Sequence, residues 1–118
     1  MKNLAPDITR KRFIIEGYYT SAVDEKVIEN FFTQICSTLN LRMYGKPIIF
    51  SPSGMGKEEN QGYDAFVPLI DSGISLYVWS SRKFLSCVIY TCKDFDEKSA
   101  LKKTKEFFQM QQLESALF

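Results

Sequence analysis

The sequence predicts an α+β fold: a two-layer α/β sandwich in which a mostly antiparallel sheet carries two helices on one face. Three observations predict it. Short alternating apolar segments follow one another through the second half of the chain, separated by tight polar turns that suit antiparallel neighbours. Two longer segments repeat their apolar residues at helical spacing. Each helix then has one apolar stripe, and a shared sheet face buries both. With 118 residues, no repeat and no change in composition, residues 1–118 form a single domain.

The elements follow in order. Phe13-Ile14-Ile15-Glu16-Gly17-Tyr18-Tyr19 is aromatic and β-branched and reads as a strand. Thr20 or Ser21 is expected to cap a helix with Asp24 and Glu25 in its first turn. Val27, Ile28, Phe31, Phe32, Ile35 and Leu39 form its buried stripe. A second strand lies within Leu41 to Phe50, most clearly over Pro47-Ile48-Ile49-Phe50. Ser51 to Gly62 is polar and glycine-bearing, and so a loop of a length often used for function. Strands follow over Ala65–Ile70 and Ile74–Trp79, joined by an Asp71-Ser72-Gly73 turn. Ser80-Ser81-Arg82-Lys83 turns the chain again into a strand over Phe84–Cys92. Asp96 begins the last helix, with Ala100, Leu101, Thr104, Phe107 and Phe108 inward. The expected order is β-α-β-β-β-β-α, with Gln111–Phe118 left unassigned. The sheet's second face then needs cover, and a homo-oligomer is one way to supply it.

Composition narrows the chemistry. Hydrophobic residues are 45% of the chain, enough for a core without staples. A net charge of +1 gives no reason to expect a nucleic acid or an acidic membrane as partner. No apolar run approaches the roughly 18 residues of a bilayer span, and Met1 to Asp7 lacks a signal peptide's apolar run. Cys36, Cys87 and Cys92 show no paired spacing, so reduced thiols and a cytoplasmic location are expected. The chain has no histidine. That removes Ser-His-Asp and Cys-His catalysis and most zinc sites, and no metal is expected. Acid–base work falls to Asp, Glu, Tyr, Lys or Cys.

The most informative segment is Leu69-Ile70-Asp71-Ser72-Gly73-Ile74-Ser75-Leu76-Tyr77-Val78-Trp79, followed by Val88-Ile89-Tyr90-Thr91-Cys92. On residue chemistry alone Asp71-Ser72-Gly73 is a hairpin turn, and Cys92 is a thiol at a strand end. Ser75, Tyr77 and Trp79 share one strand face. That face is polar and aromatic, as a ligand-lined surface would be. With these features in this order, the stretch from about Arg12 to Phe108 resembles the bacterial and archaeal S-adenosylmethionine (SAM) decarboxylases. In that family a Glu-Ser-His turn cuts itself and converts its Ser into a catalytic pyruvoyl group. The resemblance places Ser72 at the pyruvoyl position and Cys92 at the proton-donating Cys. Asp71 stands for the Glu before the Ser. Trp79 and Thr91-Cys92 match residues of the family.

The departures matter as much. Gly73 replaces the His after the Ser, and Tyr77 replaces the His that promotes self-cleavage. Asp64 stands where a second processing Ser is expected. Ser81 stands where an acid holds the ribose. Pyruvoyl formation needs a base for the Ser α-proton. An imidazole titrates near neutrality, whereas a phenol, with a reference value of roughly 10, is a poor base at pH 7. The expectation is therefore a chain that does not self-cleave and carries no cofactor, with a pyruvoyl group at Ser72 only if self-processing occurs after all.

Three functional readings follow from the resemblance. The leading one is a lyase acting on SAM, or on a derivative such as an adenylated SAM, without a pyruvoyl group. The sulfonium is already a good leaving group, and the substrate's own carboxylate can displace it. Asp64, Asp71, Tyr77 and Trp79 suit a cradle for that cation. The second reading is a self-processing pyruvoyl decarboxylase resting on Ser72 and Cys92. The third is a catalytically inactive binding or regulatory subunit. Ser72, Tyr77, Cys92 and Asp71 are the candidate catalytic residues. Asp64, Trp79, Phe50, Lys57 and Ser81 are the candidate ligand-binding ones. Phe50 stands near an adenine-stacking aromatic of the family. Gly54-Met55-Gly56-Lys57 is not a phosphate-binding loop: Ser51 stands where the first Gly belongs, and Glu58 follows the Lys. Lys57 could still meet a ligand phosphate. Arg10-Lys11-Arg12 reads as a solvated edge. Glu16 and Tyr18 could border a site between subunits.

Overall fold

The computed structural model describes residues 1–52 and 54–118. Ser53, inside the loop expected over Ser51–Gly62, lies outside the described residues. The elements are β1 (Lys11–Tyr18), α1 (Glu25–Leu39), β2 (Ile48–Phe50), a short 3-10 turn (Glu58–Asn60), β3 (Gly62–Leu69), β4 (Ser72–Trp79), β5 (Phe84–Thr91), α2 (Glu97–Phe108) and β6 (Gln112–Leu117). The six strands form one sheet in the order β2-β3-β4-β5-β1-β6, with every pairing antiparallel. The expected two-layer α+β sandwich is therefore what the chain forms, with one strand more.

Strand alternation divides the sheet cleanly. Phe13 and Ile15, Ala65 and Val67, Ile74 and Leu76, and Leu85, Cys87 and Ile89 are buried in one cluster with the helix stripes. The intervening residues point to the other face, where Tyr18, Phe66, Tyr77 and Tyr90 remain exposed. Phe31 of α1 ties the helices together, its ring centroid 4.7 Å from Phe108 and 5.4 Å from Phe107.

Three local expectations are corrected and one open segment is assigned. The cap of α1 is Asp24, whose Oδ1 accepts from the Val27 amide at 2.9 Å. Thr20 and Ser21 serve the other helix: their hydroxyls donate to the Gln109 and Phe108 carbonyls, which the end of α2 leaves unpaired. The hairpin turn is Ile70-Asp71, not Asp71-Ser72-Gly73. Leu69 pairs with Ser72 and Pro68 with Gly73, so the left-handed residue is Asp71 (φ 57), a type that tolerates it. The unassigned tail is β6, added to the edge of β1. Gly17 permits this approach, because a Cβ there would lie 2.2 Å from the Gln112 carbonyl oxygen.

The third correction is Lys11. It is part of β1, and its side chain is only 15% exposed. Its ammonium bonds Asp94 at 2.8 Å, Glu97 at 2.6 Å and the Phe95 carbonyl, latching β1 to the start of α2. Burial pulls the Lys11 pKa down, but the bonds and charges of Asp94 and Glu97 outweigh it and leave it raised. The bond from Lys11 holds both carboxyls below their usual range. A raised lysine contributes stability that is lost only above its ordinary alkaline pKa. Lowered carboxylates contribute stability that is lost as pH falls through their folded values. Thermal melts should therefore show Lys11→Met lowering Tm between about pH 5 and 9, with the difference shrinking in acid below the carboxylate range. An equal difference at acid and neutral pH would show that the latch acts through packing alone.

Candidate functional site

The candidate residues gather at two ends of the open sheet face. At one end, β3 and β4 place Asp64 opposite Tyr77, and Trp79 follows Tyr77 on the same face. The loop before β3 folds over them. Asp64, Tyr77, Trp79 and Lys57, with Asn60 and Gln61, line one cavity of about 390 Å³. The indole is fixed there, its Nε1 donating to Asn60 Oδ1 at 2.9 Å and its ring edge-on to Phe84 at 5.4 Å. Gln61 braces the loop, its amide nitrogen donating to the Met55 and Lys57 carbonyls. The cavity thus joins a carboxylate, two electron-rich rings and a mobile-chain ammonium. That is a chemistry suited to a cation carrying an anionic appendage.

The same cross-strand row continues as Ser86 and Glu16. The Ser86 hydroxyl donates to Glu16 Oε2 at 3.1 Å, and Tyr18 packs edge-on to Phe84 at 5.2 Å. Phe50 is exposed opposite Asp64 on β2; it flanks the row and does not line the cavity. Ser81 lies apart, with Ser80, Ser51 and Glu58 around another cavity.

At the other end, Asp71 and Ser72 meet Cys92. The Ser72 hydroxyl oxygen accepts from the Cys92 amide at 3.1 Å. Asp71, Ser72 and Gly73 line a second cavity of about 340 Å³ on the open face, walled by Phe66, Val88 and Tyr90. Gly73 is needed for that wall: a Cβ at this position would sit 2.6 Å from the Phe66 ring. The space beside Ser72, where the resemblance would put an imidazole, is taken by Phe66.

The two ends are not one site within a chain. Ser72 and Trp79 begin and end the same eight-residue strand, roughly 23 Å apart at about 3.3 Å per residue. Tyr77 points to the open face by strand parity, five positions from Ser72, which stands at the hairpin and borders the open-face cavity at that end. The expected catalytic set is therefore split, with Asp71, Ser72 and Cys92 together and Tyr77 elsewhere. No imidazole stands beside Ser72, because the chain has no histidine, and the Phe66 ring lies against Gly73, the position where the resemblance would put one. Among the described residues no three His, Cys, Asp or Glu side chains converge to hold a metal ion.

Sequence reasoning missed Phe66 and Tyr90, which wall the Ser72 end, and Asn60, which holds Trp79. Phe66 and Tyr90 were legible as outward aromatics of alternating strands. Nothing in the sequence marks Asn60.

The thiols differ sharply. Burial pushes Cys36 up to about 11 and Cys87 up to about 12, whereas Cys92 is exposed. A thiolate is the reactive form. Alkylation of native protein near neutral pH should modify Cys92 alone, read as a single mass increment that Cys92→Ser abolishes. Rapid modification of a second cysteine would show that the core opens.

The family model for S-adenosylmethionine decarboxylase matches residues 11–117. Among solved structures, the adenosylmethionine decarboxylase from Aquifex aeolicus VF5 superposes with a TM-score of 0.75 over 94% of this chain and 89% of its own, at 14% identity. At that identity the likeness is one of fold. No curated protein sequence matches this chain. No helix among the described residues is long and apolar enough to cross a membrane.

Proposed function

The chain belongs to the S-adenosylmethionine decarboxylase family, and from that membership we propose that it is a lyase on SAM or a SAM derivative that does not self-cleave. The observation that carries the reading is the setting of Ser72. Its oxygen is bonded to the Cys92 amide, Phe66 covers Gly73, and the chain has no histidine. Cleavage of SAM itself needs no electron sink. The substrate carboxylate oxygen bonds to the γ-carbon as the carbon–sulfur bond breaks, and the sulfonium keeps the electron pair. Homoserine lactone and methylthioadenosine result, with no proton transferred. The protein must hold the cation, orient the carboxylate and exclude water. Asp64, Tyr77 and Trp79 are suited to the first task, and Lys57 to an anionic appendage of a derivative.

The split site supports a homo-oligomer. A second copy facing the sheet about a two-fold axis would set one copy's Asp64–Tyr77–Trp79 end against the other's Asp71–Ser72–Tyr90 end. It would also cover the exposed Tyr18, Phe66, Tyr77 and Tyr90. Light scattering should give at least twice the 13.6 kDa of one chain; a monomer at working concentration would overturn this arrangement. Three free cysteines fit a reducing, cytoplasmic setting.

One observation favours a pyruvoyl decarboxylase instead: the pairing of Ser72 with Cys92, which such an enzyme would need. The deciding experiment is an intact-mass spectrum followed by incubation with SAM. A single uncut chain releasing methylthioadenosine and lactone supports the lyase. Two fragments split at Asp71-Ser72, with carbon dioxide as product, overturn it. Binding without turnover leaves a binding or regulatory subunit.

A further inference from the structure

The Asp71-Ser72 turn also walls a cavity away from the open face, between the end of α1 and the end of β5. It measures about 420 Å³, and its polar lining is Asn40, Arg42, Asp71, Ser72, Cys92 and Lys93. We propose that this cavity binds an anionic group, a carboxylate or a phosphate, through Arg42, Lys93 and the Ser72 hydroxyl.

Local geometry builds it. Asn40 ends α1 in the left-handed conformation (φ 55), and the Leu41 amide donates back to the Cys36 carbonyl at 2.8 Å. The chain therefore leaves the helix toward the hairpin, where the Arg42 carbonyl accepts from the Ile70 amide at 3.3 Å. Lys93, just past β5, crosses to the same place and donates to the Asn40 carbonyl at 2.7 Å. Buried Leu41 and Leu69 form the floor.

Charge then selects the ligand. Among the described residues the ion pairs involve only Lys11 and Lys26, so neither Arg42 nor Lys93 is neutralised. Asp71 is the only carboxylate in the lining and pairs with neither, leaving two cations against one anion. The Ser72 oxygen accepts from Cys92, which keeps its own hydrogen available as a donor. A guanidinium fork and an ammonium match the oxygens of carboxylate or phosphate. The negative end of α1 opposes this with roughly half a charge. Three of its nearby carbonyls, on Cys36, Ser37 and Asn40, are already bonded. The net positive charge of the lining therefore prevails.

The inference rests on the lyase reading only for which molecule carries the anion; the cavity's own affinity does not depend on it. The test is an amide NMR titration with inorganic phosphate and, separately, acetate, without SAM. Saturable shifts are expected at Arg42, Ile70, Ser72, Cys92 and Lys93, weakening with added sodium chloride. The double variant Arg42→Gln/Lys93→Gln should bind at least about tenfold more weakly, with the remaining spectrum unchanged. If it fails to fold, the two single variants serve. Phosphate saturating where acetate does not indicates a phosphorylated ligand; equal saturation shows that a carboxylate suffices. No saturable shift with either anion, or an unchanged affinity in the variants, overturns the proposal. SAM cleavage without an anion at these amides overturns this inference alone. Phosphate binding in a protein that neither binds nor cleaves SAM overturns only the lyase reading.

Discussion

Replacing Phe31 by alanine is expected to lower folding stability by about 3–5 kcal/mol, the largest effect of any single truncation considered. The ring is fully buried and meets Phe32, Phe107 and Phe108. It is a place where α1 is held to α2. Removing it leaves a cavity that three stiff neighbours cannot close. A domain of this size holds about 5–15 kcal/mol in total, so the variant should be near unfolding at room temperature. Urea denaturation of Phe31→Ala and Phe31→Leu separates the terms. The leucine variant keeps most of the volume and should lose markedly less. Equal losses would mean that the aromatic contacts, not the filled space, hold the helices.

The second large effect is expected at Asp64. Asp64→Asn keeps the shape of the cavity but removes its carboxylate. If that group faces the sulfonium, kcat/KM for SAM cleavage should fall by roughly 10–100-fold, the usual range for a lost charge-assisted contact. Stability should hardly change, because Asp64 is exposed. Its charge forms no ion pair among the described residues. Trp79→Phe is the companion variant: it keeps a ring but loses the bond to Asn60, and it should raise KM more than it lowers kcat. Full activity in Asp64→Asn would remove this end of the face from the reaction.

The sheet was legible because alternation is a strong signal wherever one face is buried. Ala65, Val67, Ile74, Leu76, Cys87 and Ile89 all fall where the pattern puts them. β6 escaped because an edge strand covers little: in Gln112–Leu117 only Leu113 is even partly buried. The hairpin register slipped for a subtler reason. Asp, Ser and Gly all suit turns, and only the pairing of Leu69 with Ser72 decides which of them turns. Half of the site was readable for the same reason as the sheet, since Asp64, Tyr77 and Trp79 point outward by parity. Arg42 and Lys93 were not readable. They come from two segment ends 51 positions apart, brought together by a helix cap and a strand terminus.

The strand order has a consequence for how the chain reaches this state. β1 has no neighbour among the next three strands; its partners are β5 and β6, with Lys11 opposite Thr91. During synthesis the apolar Phe13–Ile15 segment must wait until most of the domain has left the ribosome. Pairings this distant in sequence make refolding slow compared with a helical bundle, and an unpaired strand is prone to stick to other chains in the interval. The β3-β4-β5 meander is assembled from local contacts and can form first. Refolding should therefore show yields that fall with protein concentration, a burden set by topology and not by the composition of the core.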